Sequence, residues 1–145
     1  MIERGGIAAL IPHAGKMCLL DRVISWDEQR IACRSSAHRD PDNPLRQNGR
    51  LGALVAIEFA AQAMAAHGRL AGAVGERPRA GFIASLRDIR CRCDRLDRLD
   101  ADLDISATRL MGDDRNVMYA FAVTCGTEEL VTGRATVVLQ ADLPA

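Results

Sequence analysis

Aromatic side chains are scarce in this chain, with one tryptophan, one tyrosine and three phenylalanines in 145 residues. Trp26, Phe59, Phe82, Tyr119 and Phe121 are too few and too scattered to build a base-stacking surface. Charge of one sign is also missing, because nineteen basic residues balance nineteen acidic ones and the two alternate locally. Neither nucleic acid nor an anionic membrane surface is favoured by such a balance. No apolar run is long enough to span a bilayer, the longest being broken by Glu58 and Gln62. The opening MIERGGIAALIPHAGK carries an acid and only a brief apolar segment, unlike a secretory signal. Five cysteines form an odd set without a disulfide framework, which predicts a reducing, cytoplasmic setting. There is no phosphate-cradling glycine loop, no nucleophilic serine motif and no internal repeat.

What remains is one domain over residues 1–145, long enough to bury a core. Residues 7–11 predict a short helical turn before Pro12. Residues 17–27 and 29–38 read as two strands of a hairpin turning at Asp27 and Glu28. RDPDNPLRQNG, residues 39–49, reads as an irregular loop. From Leu51 to about Ala71 the period changes to that of a helix, with Leu51, Leu54, Ile57, Ala61, Met64 and Ala65 as its core stripe. Gly68, Gly72, Gly75 and Pro78 are expected to loosen and end it. Residues 81–93, 102–111, 117–125 and 129–140 then predict four strands, with turns at Gly112–Asp114 and Gly126–Thr127. One helix and sequential strands imply an α+β fold in which an antiparallel sheet wraps the helix.

The apolar stretch LVAIEFAAQAMA, residues 54–65, holds Glu58 where a methyl group would pack more cheaply. A lone helical glutamate ordinarily keeps its head in water at the edge of the stripe. A desolvated one has a raised pKa, which suits general acid–base chemistry. The surrounding motifs bear on that choice. Glu58-Phe59-Ala60-Ala61-Gln62, the upstream LIPHAGKMCLLDRVISWD (10–27), GFIASLRDIRCRC (81–93) and GRATVVL (133–139) stand in a characteristic order. Together they resemble the hot-dog-fold (3R)-hydroxyacyl-(acyl carrier protein) dehydratases, and among these the small proteins of aryl-polyene and related lipid clusters. The resemblance implies a hot-dog fold, one long central helix wrapped by a curved antiparallel sheet. It also implies elimination of water from a β-hydroxyacyl thioester, with Glu58 protonating the leaving hydroxyl while a histidine takes the α-proton. No metal or redox cofactor is implied, the substrate riding on phosphopantetheine. The implied partner is acyl carrier protein, and the implied assembly is a homodimer or dimer of dimers whose subunits share the site.

The family's histidine lies fourteen residues before the acid, and here that position is Pro44. His38, twenty residues before Glu58, is the candidate replacement; a strand-end histidine with no catalytic part is the equal alternative. His13 matches a packing or capping position, and His67 reads as an exposed or last-turn residue. Asn43, Arg46, Gly52 and Gln62 are the candidate substrate-binding residues, as a carbonyl partner, a phosphate partner, a close backbone approach and the family's helical glutamine. Arg50 and Gly49 are alternates in the same loop. Two rivals stay open: an acyl thioesterase in which Glu58 activates water, and a non-catalytic subunit that binds an acyl carrier protein or pairs with an active dehydratase. No metal is expected, since Cys91 and Cys93 lack a second ligand pair. The Asp100, Asp102, Asp104 run also lacks the glycine and glutamate of a calcium loop.

Overall fold

The computed structural model describes residues 1–11, 15–71, 81–113 and 115–139. His13, Gly72, Gly75, Pro78, Asp114 and Gln140 therefore lie outside the described residues. The elements in order are β1 (Ile2–Glu3), α1 (Arg4–Ala8), β2 (Arg22–Trp26), β3 (Arg30–Ser35), α2 (Ala56–Leu70), β4 (Gly81–Cys91), β5 (Leu103–Gly112), β6 (Asn116–Cys125) and β7 (Glu128–Leu139). Short 3-10 turns occupy Gly15–Met17, Ala37–Arg39 and Ala53–Val55.

The strands form one sheet in the order β1-β2-β3-β5-β6-β7-β4, with every pair antiparallel. α2 lies across β3, β5 and β6, where alternate strand residues turn inward. Ile31 and Cys33, then Leu103, Ile105 and Ala107, then Tyr119, Phe121 and Val123 supply that floor. This is the predicted hot-dog arrangement, and the four late strands fall within two residues of their expected bounds.

Three expectations need correction. Residues 17–27 form a strand only from Arg22, because Cys18, Leu19 and Leu20 are buried as an irregular segment beneath α2. The helical turn expected over residues 7–11 is closed by the Ile11 N–H bond to the Ile7 carbonyl and follows directly on α1, whereas Gly68, expected to loosen the long helix, stays inside α2. Most consequentially, the helix is rotated from its predicted phase. Its buried residues are Ala56, Phe59, Ala60, Gln62, Ala63, Met64, Ala66 and His67; of the expected stripe Leu51 and Met64 are buried, whereas Leu54 is 63% exposed and Ile57, Ala61 and Ala65 are half-buried. A helix apolar nearly all round gives no unique phase, and the sheet covers only one side of it.

β4 ends the sheet, bonded to β7 on one side only. It exposes Phe82 and Leu86, 57% and 41% respectively, and two bulges interrupt its register.

Candidate active site

α2 begins without a side-chain cap at Gly52 or Val55, and Glu58 sits in its first turn. An acid at that end complements the partial positive charge of the free helix N–H groups. The carboxylate is exposed in the single chain, so the desolvated position expected for it is not formed within one chain. Its neighbour one turn earlier, Leu54, is exposed as well. Carboxylate and apolar surface thus share the open side of the helix.

The loop before α2 is ordered by its own polar side chains. Asn43 donates through Nδ2 to the Ala37 carbonyl at 2.8 Å and accepts the Leu45 N–H at 2.9 Å. Arg46 donates to the carbonyls of Gly49 and His38, at 2.9 and 3.0 Å. Asn48 and Gly49 both have positive φ, and Gln47 and Arg50 exchange backbone bonds around them. That is a two-residue Asn-Gly turn, a local signal that the irregular-loop expectation passed over. Asn43 and Arg46, the expected carbonyl and phosphate partners, use these groups to hold the loop together in the single chain. Gly52 is exposed, and a Cβ built there would meet nothing within 4 Å. The surface in front of it is open.

Gln62 is 2% exposed and fully committed within the chain. Its Oε1 accepts the Leu19 N–H at 2.8 Å, and its Nε2 donates to the Met17 carbonyl at 2.6 Å. The irregular segment 17–20 is thereby tied beneath the helix. A substrate-binding role for Gln62 does not fit these bonds.

The described histidines are both buried. His38, 0% exposed in the 3-10 turn after β3, places Nε2 3.1 Å from the Leu99 carbonyl, and its Nδ1 has no partner. Burial lowers its pKa, with the Leu99 carbonyl opposing. Neither ring nitrogen of His38 is exposed in the single chain. His67, expected in the last turn or exposed, is in the last turn and 1% exposed. Its Nδ1 is 2.8 Å from the Tyr119 hydroxyl and its Nε2 2.9 Å from the Asp27 carbonyl. Since a carbonyl only accepts, Nε2 carries the proton and Nδ1 accepts from Tyr119. Burial lowers the His67 pKa and pushes the Tyr119 hydroxyl up to about 12.

Among the described residues no group of three or more metal-ligating side chains gathers. Asp102 and Asp104 pair instead with Arg39 and Arg34. No described helix is long and apolar enough to cross a membrane.

The sequence profile of the ApeP-like family, described as ApeP dehydratase, matches residues 5–145. Among solved structures, the dehydratase heterocomplex ApeI:P from Xenorhabdus doucetiae is similar, with 26% identity and a TM-score of 0.80 over 94% of this chain and 91% of that one. A thioesterase from Haemophilus influenzae shares the fold at 12% identity and a TM-score of 0.69, covering 99% of this chain and 94% of that chain. Zebrafish thioesterase superfamily member 2 does so at 15% identity and 0.64, over 94% and 95%. No curated protein sequence matches the chain.

Proposed function

The chain belongs to the ApeP-like dehydratase family, and from that premise we propose that it supplies the acid half of a shared site. The reaction is loss of water from a β-hydroxyacyl thioester held on acyl carrier protein. The imidazole comes from a second, histidine-bearing hot-dog subunit.

The observation that carries this reading is the open side of α2, where Glu58 stands beside exposed Leu54 and half-buried Ile57 and Ala61. An apolar helix face left uncovered by its own sheet calls for a partner surface. Covering it would take the Glu58 carboxyl out of water and enclose it beside the substrate, where a positioned carboxyl can serve as a general acid. Among the described residues β4 also leaves one edge unpaired, with Phe82 and Leu86 exposed. A second copy of this chain brings no exposed imidazole from its described residues, since His38 and His67 are buried with Nε2 against carbonyls. A different subunit meets that need, and the similar Xenorhabdus doucetiae structure is itself a heterocomplex.

In this mechanism the partner imidazole takes the α-proton and the Cα–H electrons form the new double bond. The Cβ–O bond breaks as protonated Glu58 delivers its proton to the departing hydroxyl, so the products are enoyl thioester and water. Negative charge growing on the thioester oxygen is favoured near the N–H groups at the start of α2.

The test incubates β-hydroxyacyl-carrier thioester with the chain alone and with the chain plus a histidine-bearing hot-dog dehydratase subunit, following enoyl product and free thiol. Enoyl product that requires both subunits is expected. Thiol released by the chain alone would instead establish the thioesterase rival, and neither product would leave a carrier-binding subunit.

A further inference from the structure

Resting on that reading of Glu58, we propose that Asp97, braced by Arg95, is a positioning residue that fixes the start of α2 and so the placement of the acid. The start of this helix has no cap of its own, since neither Gly52 nor Val55 bonds it with a side chain. An external clamp replaces the cap. Asp97 Oδ1 accepts the Leu51 N–H at 2.9 Å, the Leu51 carbonyl accepts from Leu96 at 2.8 Å, and Ala53 donates to the Asp94 carbonyl at 3.1 Å. Gly52 and Arg95 form an antiparallel bridge between those bonds. The segment that launches α2 is thus one strand of a miniature ribbon, with residues 94–97 as the other.

Asp97 is the side chain in this ribbon that reaches across to the main chain ahead of the helix. Its side chain is 6% exposed, and Arg95 holds both carboxylate oxygens, Nε to Oδ1 at 3.1 Å and Nη2 to Oδ2 at 2.5 Å. The Arg95 guanidinium and the Leu51 N–H hold this carboxyl far below the usual carboxylate range. It therefore stays an acceptor at any pH at which the protein works. Leu51 and Leu96 are both 0% exposed and already anchor the ribbon by burial. The carboxylate adds register, because its Oδ1 meets one amide only. Leu51 leads through Gly52 and the Ala53–Val55 turn directly into the first turn of α2, where Glu58 stands, so slack at Leu51 loosens the placement of Glu58.

The experiment measures kcat and KM for enoyl formation by the complete two-subunit enzyme, well below its melting temperature, for Asp97→Ala, Asp97→Asn and Arg95→Met. Asp97→Ala is expected to lower kcat about 100-fold, the cost of a misplacement near 1 Å, with KM little changed. Asp97→Asn retains an acceptor for Leu51 and is expected to restore most of the loss. A folded Asp97→Ala enzyme with wild-type kcat overturns the proposal, as does a loss that Asp97→Asn does not relieve. If Asp97→Ala does not fold, Arg95→Met carries the test: lowered kcat with steady KM supports the role, and unchanged kcat overturns it. A wild-type complex that makes no enoyl product refutes the functional reading itself. Wild-type activity alongside unaffected variants refutes only the positioning role.

Discussion

Replacing Gln62 with leucine distinguishes a structural glutamine from a substrate-binding one. The volume is nearly kept, so the change consists mainly of two stranded backbone groups. The Leu19 N–H belongs to a residue 0% exposed, and losing its acceptor leaves a buried donor unpaired at a cost of about 1–3 kcal/mol. The Met17 carbonyl is half-buried and regains water in part, adding roughly 0.5–1.5 kcal/mol. A total of about 1.5–4.5 kcal/mol follows, or a fall in Tm of roughly 5–14 °C for a domain of this size. Urea denaturation and thermal melts read the first quantity, and enoyl formation below Tm reads KM. The expected result is a large stability loss with KM little changed in the molecules that remain folded. A stability change under about 1 kcal/mol accompanied by a raised KM would refute the reasoning and return Gln62 to the substrate.

Gly133 lies where β7 passes over the core, and a Cβ there would stand 2.3 Å from Ile89 Cδ1 and 3.0 Å from Phe121 Cζ. Gly133→Ala is therefore expected to cost about 1–3 kcal/mol in a urea melt, most of it from the buried Phe121 ring, since the Ile89 terminus can turn aside. Burial holds the pKa of both His38 and His67 below 6.5, so the unfolded chain takes up protons first on acidification. Stability is then complete above that value and declines as pH falls through it toward the folded pKa values. Urea midpoints at about pH 8 and about pH 5 measure the slope, and His67→Gln is expected to reduce it.

The strands after α2 were legible in the sequence because alternation has a period of two, and one inward face sets it everywhere. The helix was legible in extent but not in rotation. Ala and Leu surround it, so counting apolar positions selected Leu54, Ile57 and Ala61, on the side left open, along with the buried Leu51 and Met64, and passed over Phe59 and Ala63. Glu58 reads as lying on or beside the predicted stripe, and the single chain leaves it exposed. Met17–Leu20 looked like a strand from composition, yet the Met17 carbonyl and the Leu19 N–H are served by Gln62, 45 and 43 residues away, a pairing no local pattern announces. Asn43 and Arg46 were visible as loop residues, while the bonds from Asn43 to the Ala37 carbonyl and from Arg46 to the Gly49 carbonyl in the Asn48–Gly49 turn need the folded path of the loop. Asp97 gave no signal, because its value lies in meeting Leu51 across a gap of 46 residues.

The central claim is that Glu58 delivers the proton that makes the β-hydroxyl a leaving group. It is tested most directly by the single-turnover rate of enoyl formation in the assembled two-subunit enzyme carrying Glu58→Gln. The account predicts intact assembly and a rate lowered by about 100- to 10,000-fold, the worth of a positioned general acid. An assembled Glu58→Gln enzyme that forms enoyl product at the wild-type rate would contradict it.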